Sequence, residues 1–143
     1  MKILCIDYGL KRIGLATSDP TQMIASPLIT LQNKGDANNI SAVRNIIVEQ
    51  RIGVLLCGIA QDIDGNDTPM SVRTREFGEK LRESTGLNVV YHNERYSSKE
   101  AEDHIKNNLG ITRPEKIREL VDKIAATMIL SSYLESKERK GKK

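Results

Sequence analysis

The sequence has no tryptophan, a single phenylalanine (Phe77) and four tyrosines, so aromatics make up only 3% of its 143 residues. A platform of stacked rings of the kind that holds single-stranded nucleic acid is therefore poorly supplied. Cysteine is nearly absent too. Cys5 and Cys57 stand far apart in apolar, strand-like runs with no Cys-x-x-Cys spacing, which reads as reduced core thiols of a cytosolic protein. With no His-Cys cluster there is no zinc site to consider. No apolar segment approaches the roughly 18 residues of a membrane span, and the N-terminus lacks a charged region followed by an apolar signal core, so neither insertion nor export is expected. No P-loop, no Gly-x-Ser-x-Gly motif and no internal repeat is found. A strong excess of one charge is missing as well: the formal net charge is +3, which permits a polyanionic partner without demanding one.

What is present fits one soluble domain. Hydrophobic residues make up 38% of the chain and charged residues 29%, and this length buries about two thirds of the unfolded surface without disulfides or structural metal. We read a single domain over residues 1–136. Residues 137–143 (KERKGKK) form a basic tail that serves equally as a solubilising end or a phosphate-contacting arm.

The first twenty residues organise the rest. Lys2 to Asp7 (KILCID) is a nearly unbroken apolar run ending in a carboxylate, as expected of a strand buried on both faces that delivers one charge to its edge. Tyr8-Gly9-Leu10-Lys11 reverses the chain and Arg12 to Ser18 returns as a second strand, with Gly14 inside it. A strand glycine marks either a bulge or a place where another backbone or a ligand comes close to Asp7. Met23 to Leu31 predicts a third strand, confined by Pro27 to an edge. Asp36 predicts a helix cap, with Ile40, Val43, Ile47 and Gln50 at helical spacing over 36–51 and Gly53 as the stop. Val54 to Ile59 predicts a fourth strand lying beside the first. Pro69 opens a helix whose buried face is Met70, Thr74, Phe77 and Leu81, ended by Gly86. Asn88 to Tyr91 gives the fifth strand. Ser97 and Glu100 form a capping box for a helix reaching Gly110, and Pro114 starts the last helix, with Ile117, Val121, Ile124, Met128 and Leu134 inward. The fold class is α/β: a mixed five-stranded sheet, an antiparallel meander followed by parallel strands, flanked by helices.

Asp7 ends the first strand, Glu94 follows the fifth, and Asp122 stands in the last helix. Strand ends sharing a sheet edge converge, and a helix across that edge can deliver a third carboxylate. Three such acids need a cation, and Mg²⁺, or Mn²⁺ in its place, suits oxygen ligands of this kind. The alternatives are a helix-surface role for Asp122 and an ion pair between Glu94 and Arg95. His92 is a candidate general base or a plain loop histidine; Ser97 and Ser98 read as caps.

These motifs resemble the YqgF (RuvX) family, described as Holliday junction resolvases and as pre-16S ribosomal RNA nucleases. The likeness rests on Ile6-Asp7-Tyr8-Gly9 with Lys11-Arg12-Ile13-Gly14-Leu15-Ala16 and Ser18-Asp19, on Asp64-Gly65, on Asn93-Glu94-Arg95 followed by Glu100-Ala101, and on Val121-Asp122 with Ala125-Ala126. It implies an RNase H-like fold, with Asp7, Glu94 and Asp122 as catalytic acids and metal ligands. Leu10, Ala60, Asn93 and Tyr96 depart from the pattern, which usually has Thr, Pro, Asp and Leu there. The chemistry implied is metal-dependent phosphodiester hydrolysis: one metal generates hydroxide and a second, about 4 Å away, stabilises the leaving 3′ oxygen. Lys11, Arg12, Arg73, Arg75 and Arg95 are the candidates for gripping substrate phosphates. The partner is nucleic acid, either the 5′ end of pre-16S rRNA or branched DNA, and symmetric junction cleavage would favour a homodimer. Two rivals are an actin-like ATPase, for which 143 residues are too few, and a nucleic-acid-binding factor that does not cleave.

Overall fold

The computed structural model describes residues 1–141, ordered as β1 (Lys2–Tyr8), β2 (Arg12–Ser18), β3 (Ala25–Gln32), α1 (Asp36–Gln50), β4 (Ile52–Ile59), α2 (Pro69–Thr85), β5 (Asn88–Asn93), α3 (Ser98–Asn108) and α4 (Pro114–Gly141). The sheet order is β3-β2-β1-β4-β5. The first three strands pair antiparallel, and β4 and β5 add in parallel to β1. That is the mixed sheet the sequence predicts, with β1 buried at its centre.

Alternation along β1 sorts its side chains onto two cores. Leu4, Ile6 and Tyr8 face α1 and α2, where they meet Val43, Phe77 and Leu81. Ile3 and Cys5 face α4, where they meet Ala126, Ile129 and Leu130. Asp7 follows the second parity, so the pleat alone sends its carboxylate to the α4 side. A third cluster, including Ala101, Ile105, Ile117 and Val121, packs α3 on α4.

The helix ends differ in detail from expectation. Gly35, with φ 90°, precedes α1 without a side-chain cap, while Asp36 lies in the first turn and pairs with Lys80 of α2 at 2.6 Å. Arg51, left-handed at φ 55°, ends α1 in place of Gly53. Gly53 instead lies inside β4, where a Cβ would strike the Met1 side chain at 2.6 Å. Pro27 sits on the edge strand β3, paired with Ala16 where the register shifts, because an edge position spares its missing N–H. The strand β5 runs to Asn93, so His92 belongs to the sheet and not to a loop. In α4 the inward residues include Ala126, Ile129 and Leu130, and small Ala126 lets the helix lie close to the sheet. Residues 137–141 continue α4, and the rest of the basic tail, 142–143, lies outside the described residues.

Candidate active site

The site begins with a missing side chain. Asp7 of β1 pairs across the ladder with Gly14 of β2, and a Cβ on Gly14 would stand 2.1 Å from the backbone oxygen of Asp122. The backbone of α4 therefore rests directly on β2 at this point. Of the two readings of Gly14, close approach of a neighbouring backbone is the one found, and it carries Asp122 to the side of Asp7.

The two carboxylates line one cavity of about 460 Å³, together with Gly9, Leu10, Lys11, Arg12, Arg95 and Tyr96. Each has a guanidinium partner. Arg12 donates from Nε to Asp122 Oδ2 at 2.7 Å. Arg95 Nε lies 3.0 Å from Asp7 Oδ1, yet that oxygen, buried, has no aligned hydrogen-bond donor; the pair is held by charge more than by direction. Arg95 also donates to the Tyr8 carbonyl. Burial pushes the Asp7 carboxyl up from its ordinary range and the Asp122 charge adds to this, against the pull of Arg95. A buried anion beside a second anion, its ion pair to Arg95 poorly aligned for hydrogen bonding, is the environment a hard cation relieves. Two carboxylates lining one cavity are a donor set that could hold a hard divalent cation, with room left for further oxygen ligands.

Glu94 is elsewhere. Its side chain is 45% exposed and lines a different cavity, of about 540 Å³, with Tyr96, His104, Ser132, Glu135 and Arg139. Tyr96 donates its hydroxyl to Glu94 Oε1 at 2.9 Å, Ser132 of α4 donates to Oε2, and His92 Nε2 lies 3.6 Å from the same oxygen. The Ser132 hydrogen bond, then those of Tyr96 and His92, hold the Glu94 carboxyl below its ordinary range against a desolvation effect. The expected meeting of three acids is thus a pair plus one apart: among the described residues no group of three or more Asp, Glu, His and Cys is placed to hold a metal. Nor does Glu94 pair with Arg95, which is committed to Asp7. His92 touches Ser132 Oγ at 3.1 Å, but serine also binds the glutamate, so the three do not form a relay in which the acid orients the histidine.

The basic candidates divide in the same way. Lys11, Arg12 and Arg95 line the Asp7 cavity. Arg73 and Arg75 do not; both ride on α2, and Arg75 pairs with Asp67 at 2.9 Å and lies 4.9 Å over the Tyr91 ring. Arg118, which the sequence reading passed over, lines an adjoining cavity of about 420 Å³ that shares Arg12 and Asp122. Its signal was the four-residue spacing to Asp122 on one helix face. Ser132 had no local signal at all.

The departures from the family pattern have local explanations. Asn93 accepts the Gln61 N–H at 3.0 Å and ties the loop after β4 to the end of β5. The Ala60 carbonyl accepts from Thr68 at 2.9 Å, and Thr68 caps α2. Leu10 is exposed at the rim of the cavity. Asp64-Gly65 forms a turn with Gly65 at φ 83°, bonded to Asp62.

A family model described as "RuvX: Holliday junction resolvase" matches residues 1–136. A protein of Caldanaerobacter subterraneus subsp. tengcongensis, named "Putative pre-16S rRNA nuclease", is 32% identical over 96% of this chain and 99% of its own length. One of the same name from Syntrophomonas wolfei is 35% identical over 94% of each chain. Among solved structures, the fowlpox virus resolvase with its substrate Holliday junction DNA superposes with a TM-score of 0.60 at 19% identity, over 95% of this chain and 98% of that one. Thermus thermophilus RuvC in complex with a Holliday junction substrate gives 0.59 at 14%, over 97% and 96%. These two establish the shared fold, the RNase H-like sheet of the RuvC-type resolvases. With a family match over nearly its whole length and close relatives aligned end to end, the chain belongs to the RuvX family.

Proposed function

We propose that this chain is a divalent-metal-dependent endonuclease that hydrolyses phosphodiesters at the Asp7–Asp122 cavity, in the cytoplasm, on the 5′ end of pre-16S rRNA. The observation that carries the chemistry is the buried Asp7 carboxylate set beside Asp122 and ringed by Lys11, Arg12 and Arg95. The substrate reading rests on the names of the relatives. A four-way DNA junction, acted on by a dimer, is the second reading, favoured by the family description.

Asp7 and Asp122 would hold Mg²⁺ or Mn²⁺, which when bound supplies an activated water and neutralises charge at the phosphate. The chain's own groups do the rest. Arg95 keeps the Asp7 carboxylate turned into the cavity by bridging it to the Tyr8 carbonyl. Arg12, half exposed, can leave Asp122 for a substrate phosphate, and Lys11 offers a second cation at the rim. Burial of Asp7 strengthens every charge interaction made there.

The test incubates the purified protein with a 5′-extended 16S precursor and, separately, with a four-way junction, each in Mg²⁺, Mn²⁺ or Ca²⁺. We expect Mg²⁺- or Mn²⁺-dependent trimming of the precursor, with Ca²⁺ failing because its looser coordination does not orient the attacking water. Preferential cutting of the junction would establish the second reading, and cleavage of neither would leave a binding factor.

A further inference from the structure

The turn that joins β1 to β2 brings two cations to the Asp7–Asp122 cavity, Lys11 within the turn and Arg12 at the start of β2. Little of this segment is buried: Leu10 is 63% exposed, and Lys11 and Arg12 are exposed as well. Long basic side chains grip a phosphate well only where the backbone beneath them is already fixed, because ordering it on binding costs conformational entropy. Here it is fixed from outside the hairpin. Asn33, just past β3, donates its side-chain Nδ2 to the Gly9 carbonyl at 2.9 Å and its backbone N–H to the Lys11 carbonyl at 2.9 Å. One residue thus takes up a carbonyl on each arm of the turn.

Asn33 is itself held. Its Oδ1 accepts from Asn39 Nδ2 at 2.8 Å and from the Gly35 N–H at 3.2 Å. A reversed amide would set its NH₂ against these two donors and its oxygen against the Gly9 carbonyl. Asn39, on α1, is buried at 2% exposure, and its Oδ1 accepts the Lys34 N–H at 3.0 Å. Unmaking bonds to a buried amide is costly, so α1 anchors Asn39, Asn39 anchors Asn33 and Asn33 anchors the turn. Shaping the entry to α1 accounts for the bonds to Lys34, Gly35 and Asn39. It does not account for the bond to Gly9, 24 residues back.

We propose that Asn33, held by Asn39, is a positioning residue that locks the Gly9–Arg12 turn so that Lys11 and Arg12 meet substrate phosphates. This rests on the reading of those two cations as the phosphate grip.

The experiment measures binding of the full chain to a 5′-extended 16S precursor RNA in metal-free buffer over a salt series. Asn33→Ala and Asn33→Asp are each made in the parent and in a Lys11→Ala, Arg12→Ala background, and thermal unfolding checks that every protein is folded at the binding temperature. Asn33→Ala should weaken binding about tenfold at low salt, the scale of one charge-assisted contact, and flatten the salt dependence by about one unit. In the background without the two cations it should do nothing further, because what it positions is gone. A folded Asn33→Ala protein with the parent's affinity and slope overturns the inference, as does an equal loss in both backgrounds, which marks a structural role alone. Should Asn33→Ala fail to fold, Asn33→Asp decides. It keeps an oxygen for Gly35 and Asn39 and loses the donor to Gly9, so its loss of affinity must be larger with the two cations than without them. The Lys11→Ala, Arg12→Ala protein separates the two levels. If it binds weakly while Asn33→Ala binds like the parent, only the lock is wrong; if it binds like the parent, the phosphate grip lies elsewhere and the lock falls with it.

Discussion

Asp7 and Glu94 stand on the same sheet, one near the end of β1 and the other just past β5, yet they are held by different means. Asp7 is fixed by backbone: strand pleat sets its side, the β1–β2 ladder sets its neighbour Gly14, and the α4 main chain seats Asp122 against that glycine. Glu94 is fixed by side chains, a tyrosine and a serine hydroxyl on a half-exposed carboxylate. Backbone placement tolerates little movement, whereas a position set by hydroxyl groups can be exchanged for another at modest cost.

The sharpest way to break this comparison is Asp7→Asn. If Asp7 and Asp122 hold the cation as proposed, losing one of the two carboxylates should lower the cleavage rate by about three orders of magnitude, several kcal/mol of transition-state stabilisation at tenfold per 1.36 kcal/mol. The same change should raise stability. Because burial holds the folded-state Asp7 carboxyl above its unfolded value, the charged form penalises the fold at neutral pH. The gain in Tm over the parent should be absent below the unfolded value near 4, grow as pH rises through the folded value, and stay constant above it. Thermal unfolding across that pH range, beside a cleavage assay, reads both. A folded Asp7→Asn protein that cleaves at the parent rate would place the active site elsewhere.

Gly14→Ala attacks the backbone arrangement itself. Its Cβ would meet main chain and not a flexible side-chain end, so α4 must lift from β2, at a cost of about 3 kcal/mol at the upper end of ordinary overpacking. Denaturant unfolding should show that loss, and cleavage should fall with it as Asp122 withdraws. Parent-like stability and rate would mean that the seat of Asp122 is not set by this contact.

Arg12→Ala should have a smaller effect. Removing one phosphate contact is expected to weaken nucleic-acid binding across sequences and to flatten the salt dependence by about one unit. Binding isotherms over a salt series test this, and an unchanged slope would confine Arg12 to its ion pair with Asp122. Arg75→Ala is the low end of the series. Tied to Asp67 and Tyr91 away from the cavity, Arg75 should leave binding and its salt slope where they were; a lost unit of slope would extend the substrate path onto α2.

Much of this arrangement is legible in local pattern. The run Lys2–Asp7 announces a buried strand with an acid at its edge, Pro69 and Gly86 bracket α2, and Ser97 caps α3 through the Glu100 N–H. The N-cap expected at Asp36 falls on Gly35, and the Asp36 carboxylate is taken up by Lys80 on another helix, a partner 44 residues away that local pattern does not contain. The pairing of Asp7 with Asp122 was foreseeable as convergence at a sheet edge. That Glu94 stands apart was not, because its direction depends on Ser132, 38 residues further on.

By itself, then, the sequence determined the element order, the buried strand that ends in Asp7, and the acids and cations available for chemistry, because pleat, helical period and turn residues act between near neighbours. Only the tertiary structure decided that Asp7 and Asp122 share a cavity while Glu94 does not, that Arg73 and Arg75 lie off it while Arg118 lies beside it, and that Gly14 is a seat for α4. These are largely outcomes of packing between segments 38 to 110 residues apart, where the volume of one missing methyl group and the reach of two hydroxyls settle which charges meet.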